Sequence, residues 1–68
     1  MTKERMGLRV AIARESLHLT QQELAERTSI SRVTISKIEN GRVEDISTRT
    51  LLRLAEALNV SAGYLLCG

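Results

Sequence analysis

Arg32, Val33, Thr34, Ser36 and Lys37 bring two cations, two hydroxyls and one branched apolar group together within six residues. On a helix, the first three are exposed at its start, and Ser36 and Lys37 follow one turn later on the same side. The set offers hydrogen-bond donors and a shape to a partner surface. It contains no nucleophile beside a base. Gln21 opens another predicted helix, where free backbone amides and the positive end of the dipole favour an anion such as phosphate, to which the Gln amide can add a hydrogen bond. Residues capable of covalent or metal chemistry are few: the single histidine, His18, has no second ligand nearby, and the single cysteine, Cys67, has no basic neighbour. The expectation is no catalysis, no metal and no cofactor, with Cys67 an inert residue near the chain end.

Positioning such a face calls for helices, and helical spacing runs through the chain. Met6, Val10, Ala13 and Leu17 form one stripe of an amphipathic helix predicted from near Thr2, which can cap the amides of Lys3 to Arg5, to about His18. Leu8 and Ile12 are expected to widen that stripe. Leu19 then turns inward. Thr20 and Glu23 form a capping box for a second helix over 21–28, with Leu24 and Ala25 inward, the small Ala implying close approach of another helix. Ser29, Ile30 and Ser31 make a three-residue corner, in which Ser31 can cap a third helix from Arg32 to about Asn40 with Ile35 and Ile38 inward. Gly41 stands where a left-handed residue would end it. After a polar loop from Arg42 to Ser47, Thr48 is expected to cap a fourth helix carrying Leu51, Leu54, Ala55 and Leu58, with Asn59 as its stop. Ser61 can cap a short fifth helix, Ala62 to Leu66.

Sixty-eight residues suffice for one small domain, 1–68, too small for a substrate cleft within one chain. Tyr64 is the lone aromatic residue and proline is absent, so the core must be aliphatic and the class all-α. Ten Lys and Arg against eight Asp and Glu leave a formal charge of +2, which by itself is a weak argument for a nucleic-acid partner. With one cysteine, no signal peptide and no long apolar run, the chain reads as cytosolic and not membrane-bound.

The segment LTQQELAERTSISRVTISKIENG resembles the helix-turn-helix of the Cro and lambda-repressor family, also called the Xre type. It matches at Gln21, Leu24, Ala25, Ile30, Ile35, Ile38, Glu39, Asn40 and Gly41, and the similarity extends to Arg14 and to LLRLAEALNVSAGYLL, covering nearly the whole chain. The resemblance implies a compact five-helix DNA-binding domain, the second and third helices forming the motif, in a bacterial or phage-encoded regulator of the cytoplasm or nucleoid. It aligns Arg32, Val33 and Lys37 with base-reading positions. Arg32 and Lys37 can donate to guanine O6 and N7, and Val33 can pack on a thymine methyl, with Thr34 and Ser36 on the same surface. Asn40, Gly41 and Arg42 are placed to reach phosphates, with Thr34 a further candidate and Gln21 anchoring the other side. The resemblance also implies a partly buried ion pair between Arg14 and Glu39 that orients the reading helix. Departures fall at His18 and Ser29, where the family commonly has Gly; at Thr28, whose hydroxyl needs a partner such as the Leu24 carbonyl; and at Glu44 and Asp45, in a loop without the common proline.

One reading helix spans only a few base pairs, so a twofold homodimer on a near-palindromic duplex is expected, its copies one DNA turn (~34 Å) apart. Ala62, Tyr64, Leu65 and Leu66 are the candidate interface, with Leu65 or Leu66 alternatively in the core. A transcriptional regulator, more simply a repressor than an activator, is the leading expectation, with control by concentration or a regulatory protein partner. The alternative is an antitoxin-like protein-interaction module with secondary DNA binding.

Overall fold

Four hydroxyl caps and four left-handed residues divide the chain into helices. The computed structural model describes residues 3–43 and 45–66. It contains α1 (Lys3–Ser16), α2 (Gln21–Thr28), α3 (Arg32–Glu39), α4 (Thr48–Leu58) and α5 (Ala62–Leu66), and no strand among the described residues. Thr2, expected to cap α1, lies outside the described residues, as do Glu44 and Cys67.

At the start of α2, the Thr20 hydroxyl accepts from the Glu23 amide (3.0 Å) while the Glu23 carboxylate accepts from the Thr20 amide (2.8 Å). That backbone bond holds the Glu23 carboxyl below its ordinary pKa range. Ser31 and Ser61 accept from the amides of Thr34 and Tyr64, three residues on. The cap of α4 is Ser47, not Thr48: Ser47 is extended and its hydroxyl accepts from the Thr50 amide, while Thr48 is already helical. Of two adjacent hydroxyls, the one that falls on the extended residue does the capping.

His18, Ser29, Gly41 and Asn59 all have φ between 57° and 71°. At His18, Gly41 and Asn59 the chain closes in the same way. The following residue's amide reaches back five positions, Leu19 to Arg14 (3.2 Å), Arg42 to Lys37 (2.8 Å) and Val60 to Ala55 (3.0 Å), which satisfies carbonyls left over at the helix end. Ser29 closes differently, as described below.

The core is aliphatic. Met6, Val10 and Ala13 of α1 meet Leu24 and Ala25 of α2, Ile35 and Ile38 of α3, Leu51, Leu54, Ala55 and Leu58 of α4, and Leu65 of α5. Helix α1 packs against α3, α4 and α5, while α2 packs against α3 and α4. Each fully buried Leu or Ile contributes roughly 2 kcal/mol by leaving water. Two expectations about α1 are corrected. Leu8 (58% exposed) and Ile12 do not widen the buried stripe: two residues turn a helix by about 200°, so both, flanking Val10, leave on the opposite side. Leu17 is exposed as well, because it lies past the last turn of α1. The loop after α3 is less polar than its composition suggests, since Val43 and Ile46 pack partly against the core. Among the described residues no helix is long and apolar enough to cross a membrane.

Candidate nucleic-acid interface

The position of α3 is set first by a glycine. A Cβ on Gly7 would stand 2.2 Å from the Ile38 carbonyl oxygen and 2.9 Å from that of Glu39, so only glycine lets α1 come this close to the end of α3. The sequence reading missed this contact. Its one trace is a glycine in mid-helix, where it weakens the helix by roughly 1 kcal/mol relative to Ala and so points to a packing demand.

A buried ion pair sets it second. Arg14 Nε and Nη2 donate to the two Glu39 carboxylate oxygens at 2.7 and 3.1 Å, joining positions 25 residues apart. The two side chains are only 13% and 7% exposed. Arg14 Nη1 also donates to the Leu19 carbonyl (2.7 Å), so the guanidinium ties the end of α1 to the end of α3. Bonding to Glu39 raises the Arg14 pKa further above its already high ordinary value. Removing either partner leaves a charge largely cut off from water, at a cost of about 3 kcal/mol.

The corner leading into α3 turns on Thr28 and Ser29. Ser29 is left-handed without being glycine (φ 59°, ψ 27°). Thr28 is buried, and its hydroxyl donates to the Leu24 carbonyl (2.8 Å) and accepts from the Ile30 amide (3.3 Å). A side-chain oxygen thus serves the amide that follows the left-handed residue.

At about 100° per residue, Val33, Ser36, Lys37 and Asn40 share the side of α3 opposite the buried Ile35 and Ile38. Val33 is 59% exposed and Lys37 is exposed; Asn40 Nδ2 donates to Ser36 Oγ at 3.4 Å. Arg32 and Glu39, seven residues apart, lie along the flank that meets α2 and α1. There Arg32 Nη1 donates to Gln21 Oε1 (3.4 Å), and Gln21 Nε2 donates to Glu39 Oε1 (3.0 Å). Gln21 is therefore half-buried and engaged on both sides, a link the sequence reading did not anticipate. Thr34 stands apart on the other flank, half-buried, accepting at Oγ1 from the Ser31 hydroxyl (2.8 Å). Gly41 is left-handed at the helix end, and Arg42 is exposed just beyond it.

Away from this face, Leu65 is fully buried, so it is core and leaves the candidate dimer surface; Leu66 is 40% exposed. Ala62 and Tyr64 are half-buried, and the Arg9 guanidinium lies 5.1 Å from the Tyr64 ring centre, which ties α5 to α1.

Comparison with known proteins agrees with this geometry. The helix-turn-helix family model matches residues 10–65. The chain is 37% identical over 62 residues to the ImmF control region 10 kDa protein of Bacillus phage phi105, spanning 91% of this chain and 68% of that protein. It is 39% identical over 61 residues to the HTH-type transcriptional regulator ImmR of Bacillus subtilis, spanning 90% of this chain but 47% of ImmR. The P22 c2 repressor, solved in complex with a synthetic operator, superposes with a TM-score of 0.87 at 36% identity over 93% of this chain and 94% of that one. The fold, the corner between α2 and α3 and the extent of these matches lead to one conclusion: the chain belongs to the helix-turn-helix family of the Xre or lambda-repressor type, a family of DNA-binding regulators and not of enzymes.

Proposed function

We propose that the chain is a sequence-specific transcriptional repressor of the cytoplasm that acts as a single domain and binds a near-palindromic operator as a homodimer. The observation that carries this reading is the outward side of α3: Val33, Lys37 and Asn40 are exposed, with Ser36 half-buried beside them, on a helix anchored from behind by Gly7 and the Arg14–Glu39 pair. An exposed helix of this width fits the major groove. Arg32 and Lys37 donate to guanine O6 and N7, Val33 packs against a thymine methyl, and Ser36 adds a hydroxyl contact. Gln21, Asn40, Gly41 and Arg42 hold phosphates on either side, with Thr34 a peripheral contact, and these contacts set register and salt dependence.

Two copies related by a twofold axis place their α3 helices about one DNA turn apart, ~34 Å. Leu66, with Tyr64 and Ala62 at its border, supplies an apolar patch for that pairing. Repression is the simpler sign of control, because occupancy of a promoter is enough. The likeness to the P22 c2 repressor, and to ImmR as an HTH-type transcriptional regulator, supports the reading.

The test is selection of bound sequences from a random duplex library, repeated with Arg32→Ala and Arg42→Ala. Arg32→Ala is expected to relax the preference for one guanine in each half-site, by about 1–3 kcal/mol of discrimination. Arg42→Ala is expected to weaken all sequences alike and to lower the salt slope by about one per copy. A wild type that enriches no sequence at moderate salt overturns the proposal.

A further inference from the structure

Between the end of α2 and α4 lies a cleft of about 460 Å3, lined by Arg27, Thr28, Ser29, Arg53, Glu56 and Ala57. It shares no residue with the outward side of α3. Its volume falls within the ~300–1,000 Å3 of small-molecule clefts. Unlike most such clefts its walls are polar: Ala57 is the one aliphatic residue, and the Thr28 hydroxyl is committed to the Leu24 carbonyl and the Ile30 amide. Three exposed charged side chains remain, Arg27 from α2 and Arg53 and Glu56 from α4. Among the described residues none of the three forms an ion pair or a side-chain hydrogen bond. Arg53 and Glu56 are three residues apart on one helix, a spacing at which opposite charges can meet, yet they stay apart. The Glu23 carboxyl, lowered first by its bond to the Thr20 amide and least by the Arg27 charge, makes no ion pair with Arg27 either. The exposed Ser29 hydroxyl completes a set of unengaged polar groups.

A guanidinium presents a fork of donors that fits the paired oxygens of a carboxylate or a phosphate. Two such forks, lining one cleft from different helices, define a place for an oxyanion, and the Ser29 hydroxyl adds a donor beside it. Glu56 opposes a second negative group and accepts from an ammonium. With little apolar wall, an aliphatic or aromatic ligand has almost no surface to bury. From this arrangement we propose that the cleft binds a small zwitterion, its phosphate or carboxylate between Arg27 and Arg53 and its ammonium on Glu56. The occupant bridges α4 to the corner that leads into α3, because Ser29 is the left-handed residue of that corner.

The probes are phosphoethanolamine (phosphate and ammonium), γ-aminobutyrate (carboxylate and ammonium) and inorganic phosphate (oxyanion alone). Each is titrated into the full chain and followed through backbone amide and arginine side-chain NMR shifts. Saturable shifts are expected at Arg27, Ser29, Arg53 and Glu56, with a Kd of about 1 mM for so small a ligand. Saturation by phosphoethanolamine alone identifies the oxyanion as phosphate, and saturation by γ-aminobutyrate alone identifies it as carboxylate. Shifts at Gln21, Arg32 and Arg42 report the DNA-facing side and are counted apart. Arg53→Gln should weaken the zwitterion roughly three- to tenfold, the worth of one charge-assisted hydrogen bond at an exposed site. Glu56→Gln should weaken the zwitterion by a similar factor and leave inorganic phosphate no weaker. Neither side chain has a partner to lose, so both variants should keep the wild-type Tm, which checks that they fold. No saturable shift in the cleft with either zwitterion overturns the proposal. A Glu56→Gln protein that binds the zwitterion as tightly as wild type overturns it too, since the cleft is then an anion patch. Displacement of the zwitterion by a selected operator duplex makes the two arginines a DNA-backbone contact, which overturns the proposal while base reading by α3 stands.

Discussion

The two ends of α3 are both formed around a left-handed residue, and they are held by different means. At the leading end, Ser29 takes φ 59° at the expense of its Cβ, and the bonds that shape the corner are local: Thr28 to Leu24 and Ile30, Ser31 to Thr34. At the trailing end, Gly41 takes φ 71° without that expense, and the decisive contacts come from α1, through Gly7 beneath the Ile38 and Glu39 carbonyls and through Arg14 on Glu39. The leading end is set by neighbours in sequence and the trailing end by neighbours in space. The angle of α3 to the body, on which groove insertion depends, is accordingly governed from its trailing end.

The largest effect expected from this contrast is at Gly7. One methyl at that position has nowhere to go, because the atoms it meets belong to the α3 backbone and cannot rotate away. Gly7→Ala should cost about 3 kcal/mol through forced separation of α1 and α3. For a domain of this size that lowers Tm by roughly 15 °C. DNA affinity should fall even at temperatures where the variant stays folded, since α3 is displaced with its side chains intact. A Gly7→Ala protein that melts within a degree or two of wild type would show that α1 does not set the trailing end.

Thr28 tests the leading end. Thr28→Val preserves shape but leaves the Ile30 amide without its hydroxyl acceptor, at a cost of about 1–2 kcal/mol. Thr28→Ser keeps the oxygen and should recover most of that loss in a urea titration. A Thr28→Val protein as stable as wild type, with the loss appearing in Thr28→Ser, would mean that the methyl, not the hydroxyl, matters at this buried site.

The same contrast explains what could be read from the amino acids. The capping box at Thr20 and Glu23, the Ser31 cap, the left-handed Gly41 and Asn59, and the Thr28 bond to Leu24 are interactions within a few residues, where residue type and spacing carry the information. The Arg14–Glu39 pair, though long-range, was legible because the family resemblance implies it. Side-chain direction was less accessible. Leu8 and Ile12 are as apolar as Val10, and only the phase of α1 against its neighbours turns them to solvent. Leu65 and Leu66 differ by about 100° on a helix of five residues, too short for spacing to establish which one faces inward. Ser47 and Thr48 present equivalent hydroxyls, and the backbone conformation decides between them. Gly7 and the Gln21 link to Arg32 depend on helix-to-helix distance, which one-dimensional spacing does not contain.

The smallest effect, and the most direct comparison of the two ends, comes from exchanging their left-handed residues. Ser29→Gly removes the Cβ strain but adds backbone freedom to the unfolded chain, so the two terms oppose each other and the net gain should be about 0.5 kcal/mol. Gly41→Ser introduces strain at φ 71° and should cost about 1 kcal/mol. The trailing residue also has no freedom to drift, because the Arg42 amide is bonded to Lys37 at 2.8 Å and the preceding turn is pinned by α1. At Ser29 the amide that follows, that of Ile30, meets the Thr28 hydroxyl at 3.3 Å, a longer bond than the one that follows Gly41. The loss at 41 should therefore exceed the gain at 29, and a protein carrying both changes should be less stable than wild type by thermal denaturation. A double variant as stable as wild type would mean that the two corners yield equally, leaving no basis for assigning control of α3 to its trailing end.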